Sequence, residues 1–366
     1  MRKKVVALVA VLAATLAGVV VARGCSGDGT SKEAKPKSPS GEAASPGARD
    51  DAPPASSAMA IVVDAGAAAP EKAAEVLFSA TWGGSRMNEL GRSRPMEANP
   101  EAPMSLATDG KGRMFVLDQV NGRVVRIGAD GKPETVIPLK QQEAAQDMAV
   151  TDDGKVAVLD RFNSKSVVMY DENGGVLGEV PLEGEGLEEL GFVTGVFVDG
   201  NDVYVEKEHG PLLRIGTTDG QEAPERSEVP GRPTRDGLSY IKAGIIEPEL
   251  GRMYVSSVDR ATMQHRFTRE YRQGSAIRGI LLLDTDKSGT IYIATLLAQG
   301  EGESESLSVV LSCHEPLKGI PVGTAVLPVN TMPEETFRDL VVLDEGGVVY
   351  SVRTEEGVSY QKYDCQ

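Results

Sequence analysis

The feature that most constrains this chain is a pattern that returns six times. A turn built on Gly or Asn is followed three residues later by a side chain, usually aromatic, inside a β-branched run. The runs are Gly112-Arg113-Met114-Phe115-Val116-Leu117-Asp118, Gly154-Lys155-Val156-Ala157-Val158-Leu159-Asp160, Asn201-Asp202-Val203-Tyr204-Val205, Gly251-Arg252-Met253-Tyr254-Val255, Gly289-Thr290-Ile291-Tyr292-Ile293 and Gly347-Val348-Val349-Tyr350-Ser351. The slot residues Phe115, Ala157, Tyr204, Tyr254, Tyr292 and Tyr350 therefore recur at intervals of about 40 to 60 residues. Apolar runs such as Asp147-Met148-Ala149-Val150 and Asp339-Leu340-Val341-Val342-Leu343 precede the turns, and Ser166-Val167-Val168-Met169-Tyr170 follows one. Asp/Gly-rich turns such as Thr108-Asp109-Gly110-Lys111 separate them and reach positive φ cheaply, as tight hairpins require. A unit of this length holding several short strands is the mark of a β-propeller, and six units predict six blades.

The sixth unit runs out of chain after its third strand, which would leave an open sheet edge. The segment Ala74-Glu75-Val76-Leu77-Phe78-Ser79-Ala80-Thr81-Trp82 lies before the first unit and reads as a strand. It is expected to supply the outer strand of the last blade and so close the ring. The expected fold class is all-β, a six-bladed β-propeller over 73–366, preceded by an N-terminal signal or anchor helix (1–25) and a disordered linker (26–72).

Residues 103–182 carry a further pattern, Asp118-x-x-Asn121-Gly122-Arg123-Val124-Val125-Arg126 and Asp160-x-x-Asn163-Ser164-Lys165-Ser166-Val167-Val168. The stretch resembles NHL repeats, in which an aspartate, two residues and an asparagine precede a strand. The third unit has Glu206 and His209 near those places, and the last three keep only the strand pattern. The resemblance implies a six-bladed ring and names no ligand. Asp118, Asn121, Asp160 and Asn163, with Glu206 and His209, are expected after second strands on one side of the disc. They form a candidate binding face, unless the Asx side chains serve to shape their own loops.

The N-terminus is read separately. Met1-Arg2-Lys3-Lys4 is a basic leader, and Val5 to Ala22 is apolar and uncharged, long enough to span a bilayer. Three fates stay open: cleavage after Val20-Val21-Ala22, lipidation of Cys25, or retention as an anchor with the basic end in the cytoplasm. Arg23 departs from the lipobox, which takes a small or apolar residue there. All three fates place the remainder outside the cytoplasm, on the periplasmic side of a cell envelope. Residues 26–75 are rich in Ala, Ser, Pro, Gly and Lys, too poor in large apolar groups to offset ordering entropy. The patch Ala60-Ile61-Val62-Val63 stands out as the one short apolar run there, to be read as docking on a neighbour or as a local fluctuation.

Charge narrows the partners. The chain carries −16 overall, with eight Lys/Arg against four Asp/Glu in residues 1–50 and 30 against 50 beyond them. An acidic body with no basic stripe argues against nucleic acid. The membrane enters through the N-terminal segment only.

Catalytic motifs are scarce: there is no Gly-x-Ser-x-Gly elbow, no P-loop and no His-Glu-x-x-His. Some NHL-type lyases hold zinc through histidines at the ring centre. Here His209 and His265, both expected after second strands, would share a side, with His314 opposite, so no metal or other cofactor is assigned. Asp284-Thr285-Asp286-Lys287-Ser288-Gly289 looks like half a calcium loop, but its twelfth position is Thr295, and a hairpin turn explains it. An oxidising compartment permits a disulfide between Cys313 and Cys365, provided third strands of neighbouring blades bring their Cα atoms within about 7 Å. Residues 221–238 and 298–306 read as exposed loops that interrupt the repeat. The function expected is a tethered scaffold that binds a protein or cell-envelope partner; the alternative is a periplasmic metal-dependent hydrolase or lyase.

Overall fold

A computed structural model describes residues 61–63, 74–300 and 302–366. The leader, Cys25 and most of the linker lie outside the described residues, so the expectations placed on them are not addressed by the fold. Among the described residues no helix is long and apolar enough to cross a membrane.

Three strands precede the repeats: β1 (Ile61–Val63), β2 (Glu75–Trp82) and β3 (Glu89–Leu90). Six sheets follow in chain order. Blade one holds β4 (Ser105–Thr108), β5 (Met114–Asp118), β6 (Arg123–Ile127) and β7 (Pro133–Pro138). Blade two holds β8 (Asp147–Val150), β9 (Val156–Asp160), β10 (Ser166–Tyr170) and β11 (Val176–Pro181). Blade three holds β12 (Val193–Asp199), β13 (Asp202–Lys207), β14 (Leu212–Thr217) and β15 (Glu222–Val229). Blade four holds β16 (Arg232–Pro233), β17 (Ser239–Glu247), β18 (Arg252–Asp259) and β19 (His265–Gln273). Blade five holds β20 (Ala276–Thr285), β21 (Ile291–Gln299), β22 (Ser306–His314) and β23 (Pro321–Leu327). Blade six holds β24 (Leu340–Val342), β25 (Val348–Arg353) and β26 (Gly357–Tyr363).

Ring closure takes the expected route. β2 pairs antiparallel with β26, Phe78 opposite Tyr360 and Ala80 opposite Val358, as the outer strand of blade six. Phe78 and Tyr360 stack at 5.9 Å between ring centroids, inside a core that mixes blade six with Leu106, Val116 and Val125 of blade one. Gly357 lies so close to β2 that a Cβ there would stand 2.0 Å from the Ala80 carbonyl oxygen. At the inner end, Ser105 bridges Arg338 and Leu106 N–H donates to the Arg338 carbonyl at 3.1 Å, joining the last blade to the first.

Two expectations change, and one candidate is found by a different route. First, Ile61–Val63 is a strand: it adds to the outer edge of blade four in parallel with β19, Ile61 opposite Tyr271. The linker expected over 26–72 is thus interrupted where Ile61 packs on the core of blades four and five. Second, residues 221–238 are not a loop. They contain the outer strand of blade three and β16, the innermost strand of blade four. β16 is only two residues long because Thr234–Ser239 turns the chain back at once, with Thr234 N–H donating to the Ser239 carbonyl at 2.9 Å. Tyr254 consequently sits in the third strand of its blade, whereas the other slot residues sit in second strands. The candidate disulfide is present: Cys313 and Cys365 are bonded, with Cα atoms 6.2 Å apart, although Cys365 is not on a third strand as expected. The distance closes because Cys365 lies beyond β26, on a tail that bends to blade five: Gln366 and Thr324 exchange backbone hydrogen bonds at 3.2 Å in both directions.

Antiparallel order gives the disc two distinct sides. On the upper side the inner strands begin and the second strands end; on the lower side the inner strands end. The half-calcium sequence is a lower-side hairpin in which Asp286 Oδ1 accepts from Ser288 N–H (2.9 Å), Ser288 Oγ (2.7 Å) and Thr290 N–H (2.9 Å), so its turn uses the carboxylate itself.

Candidate functional site

The inner strands enclose an axial cavity of about 1340 Å³ that touches all six blades. Its two ends differ in chemistry. The lower end is laced with ion pairs: Arg235 with Asp284 (2.9 Å) and Asp344 (3.0 Å), Lys287 with Asp344 (2.8 Å) and Asp152 (3.3 Å), and Arg260 with Asp199 (2.5 Å). Arg235, Lys287 and Arg260 are each already answered by a carboxylate.

At the upper end, the first residues of the inner strands meet. Asp147 opens β8 and is fully buried. Its carboxylate accepts from Ser105 Oγ (2.6 Å), Val196 N–H (2.9 Å) and Arg338 Nη2 (2.6 Å). Burial pushes the Asp147 carboxyl above its usual range, against the opposing pull of Arg338, Ser105 and the backbone donors. Glu206, at the end of β13, is the second buried acid, held by Arg232 Nη2 (2.8 Å) and Thr194 Oγ1 (3.1 Å). Burial raises this carboxyl too, but Arg232 and the neighbouring His209 outweigh it and hold the group at about 2. Both guanidiniums lie over the ring of Phe197, Arg232 at 4.5 Å and Arg338 at 4.7 Å from its centroid. Arg232 also donates to the Leu283 carbonyl of blade five at 2.6 Å, so it ties three blades together.

The six residues expected on a binding face do share the upper side, since each lies at the end of a second strand or just after it. Their side chains are spent differently. Asp118 is fully buried and accepts from Gly91 N–H (2.8 Å), Asn121 Nδ2 (2.9 Å) and Arg123 Nε (2.8 Å). Asn121 also donates to the Gly83 carbonyl at 2.9 Å, so this pair clamps the connection after β2 onto blade one. Asp160, equally buried, accepts from Asn163 N–H (2.8 Å) and Phe162 N–H (3.1 Å) and shapes its own loop. Asn163 and His209 are exposed, while Glu206 sits inside the wall. The two aspartates are therefore scaffolding for the loops that reach the surface.

What those loops present is aromatic. Phe162, in the motif's variable position, is 58% exposed, and Phe192, just before β12, is 40% exposed. Phe337, just before β24, is half-buried at the cavity rim. The Arg161 guanidinium lies over Phe162 (4.8 Å) and Phe337 (5.5 Å), and its Nη1 donates to the carbonyls of Gly191 (3.2 Å) and Val193. Sequence reading missed this cluster. The available signal was the pair Arg161-Phe162 inside Asp160-x-x-Asn163: an arginine and a large apolar residue in a turn that needs neither.

The histidines do not converge. His209 is on the upper side, and His265, at the start of β19, lies on the lower side rather than beside it. His314 ends β22, also on the lower side, next to Ser312 Oγ (2.9 Å), and burial holds it at about 4. Among the described residues no group of three or more His, Cys, Asp or Glu is arranged to hold a metal ion. In the 298–306 connection, Glu305 pairs with Arg278 at 2.7 Å.

No family model matches this chain. No curated protein matches it either. Solved structures with likeness include the hydrazine synthase of Kuenenia stuttgartiensis (17% identity, 71% of this chain and 78% of that one, TM-score 0.47). A member of the DUF4221 family from Bacteroides vulgatus is similar at 10% identity over 76% of this chain and 98% of that one (TM-score 0.47). BamB from Moraxella catarrhalis is similar at 11% identity over 72% and 86% (TM-score 0.35). At these values the likenesses carry no argument about what this ring binds.

Proposed function

We propose that the chain is an envelope-tethered, extracytoplasmic binding ring whose partner docks over the upper mouth of the axial cavity. The observation that carries this reading is Arg161 lying over Phe162 and over Phe337 of the cavity rim, with exposed Phe192 next to the Gly191 carbonyl that Arg161 bonds. Aromatic and arginine side chains are the residues that dominate binding energy at protein interfaces, and exposing two phenylalanines in water has a cost that a partner's cover would reverse. The buried acids beneath are committed to Arg338 and Arg232, which suits a rigid seat better than proton transfer. Blades one and two follow the NHL pattern, and the loops set by Asp118 and Asp160 belong to that reading. The basic leader, the apolar run to Ala22 and the Ala/Pro/Ser-rich segment behind it support export and tethering, through Cys25 or an uncleaved anchor.

Site-specific photocrosslinking in cells tests the docking side. A crosslinker replacing Phe162 is expected to give a discrete adduct with a second protein. The same group replacing Glu345, exposed in the lower turn of blade six, is expected to give none. Adducts from Glu345 alone would place the partner on the wrong side for this reading.

A further inference from the structure

Arg161 differs from almost every other arginine in the ring. Most described arginines face a carboxylate within 4.0 Å; among the described residues none stands that close to Arg161. Its recorded hydrogen bonds are the two to the carbonyls of Gly191 and Val193, both from Nη1. Its Nε is buried with no hydrogen-bond partner. Burial alone acts on its titration and lowers it, as expected for a cation drawn out of water without a counter-charge. Leaving a half-buried guanidinium unanswered costs free energy, in a chain with 54 acidic residues to choose from. The group is held in place by two rings and two carbonyls, so its orientation is fixed before any ligand arrives.

We infer that Arg161 is an anchor for a carboxylate side chain, Asp or Glu, carried by an extended partner segment with apolar residues on both sides of the acid. The inference rests on the docking side proposed above. A guanidinium already positioned gives a carboxylate a charge-assisted hydrogen bond, stronger than a neutral one and little screened where solvent is partly excluded. The apolar neighbours follow from the rings of Phe162 and Phe337, over which the guanidinium lies, and from exposed Phe192, next to the Gly191 carbonyl it bonds. A chain-terminal carboxylate has a neighbouring residue on one side only and brings less apolar cover to these three rings, so an internal acid suits the cluster better. The acidic body does not oppose this, because exposed charges beyond about 8 Å are largely screened at physiological salt.

The test uses the full chain in detergent micelles and three probes followed by ligand-observed NMR up to roughly 10 mM, a range that detects millimolar Kd values. The probes are acetylated and amidated Gly-Leu-Glu-Leu-Gly, the same peptide with Gln for Glu, and acetylated Gly-Leu-Gln-Leu-Gly with a free C-terminus. The Glu peptide is expected to bind about tenfold to a hundredfold more tightly than the Gln peptide. Arg161→Met should abolish that difference and Arg161→Lys should restore part of it, since lysine supplies charge without the planar fork. Equal binding of the Glu and Gln peptides, or no binding by either, overturns the inference. Preferential binding of the free C-terminus overturns the choice of an internal acid. Crosslinking from position 162 separates the two levels: an adduct that persists unchanged in Arg161→Met leaves the docking side standing and removes the carboxylate anchor. Loss of fold in Arg161→Met, read by circular dichroism, shifts the decision to Arg161→Lys, whose Glu-over-Gln preference must then fall measurably below that of the parent.

Discussion

A chain that begins at Gly83 is expected to lose the closed ring. Without β2, blade six keeps three strands and exposes β26 along its whole length, from Gly357 to Tyr363, as an unpaired edge. Such an edge is a template for aggregation. The same truncation uncovers Tyr360 and the core shared with blade one. Deletion should therefore give a protein that elutes as aggregates and lacks a cooperative thermal transition. A milder change isolates the packing: Phe78→Ala removes a ring that is 6% exposed and stacked on Tyr360, which should cost about 3–5 kcal/mol in denaturant unfolding. Gly357→Val should act similarly from the other strand, because its Cβ would meet the Ala80 carbonyl. A truncated chain that stays monomeric with an unchanged Tm would refute this route to closure.

Arg338 is the second sensitive position. Its guanidinium answers the fully buried Asp147, bonds the Val196 carbonyl at 3.0 Å and covers the Phe197 ring, so one side chain joins blades six, two and three at the axis. Arg338→Ala leaves a carboxylate in the wall with its charge unanswered, and breaking a buried pair from one side costs about 3–5 kcal/mol. The sign with pH follows from burial. An unpaired Asp147 has its folded-state pKa raised further, so the variant should lose least stability in acid, where the group is protonated, and most as pH rises through that raised value. Adding Asp147→Asn to Arg338→Ala should recover much of the loss at neutral pH. A single variant as stable as the parent at pH 7, measured by urea unfolding, would show that the pair contributes nothing to the ring.

The repeat made the ring legible because its recurring residues are those that build blades. Hairpin turns need Asp and Gly, second strands need alternating apolar residues, and both leave a periodic trace in one sequence. Even the closing strand was visible, since an unfinished sixth unit requires a partner and Ala74–Trp82 was the remaining strand-like segment. Blade four escaped for a physical reason. Its inner strand, Arg232-Pro233, is too short to show alternation, and the Pro-rich stretch around it reads as a loop. The slot at Tyr254 was accordingly assigned to the wrong strand. The same short strand hid Arg232, whose contacts with Glu206 and Phe197 exist only once the ring is closed.

The upper mouth was half legible. The Asp118, Asn121, Asp160 and Asn163 positions do share one side of the disc, because loops after second strands lie together there. Yet the aspartates that the first two units share are spent on holding loops, as the saturated carboxylates of Asp118 and Asp160 show. On the docking side proposed, recognition would fall to the positions the repeat leaves free. Arg161 and Phe162 occupy the two unspecified places of the second motif, and Phe192 and Phe337 come from connections between blades that have no fixed pattern at all. Their meeting is a product of topology, and spacing in the sequence carries no trace of it.

Hydrogen exchange on the full chain reads directly which side of the disc is covered in the cell. After crosslinking or co-purification with whatever it engages, amides at 161–164, 190–194 and 336–338 should exchange more slowly than in the free chain, while those at 172–174 and 344–346 should be unchanged. Protection confined to the lower turns, with the upper mouth exchanging as in the free ring, would contradict docking at that mouth.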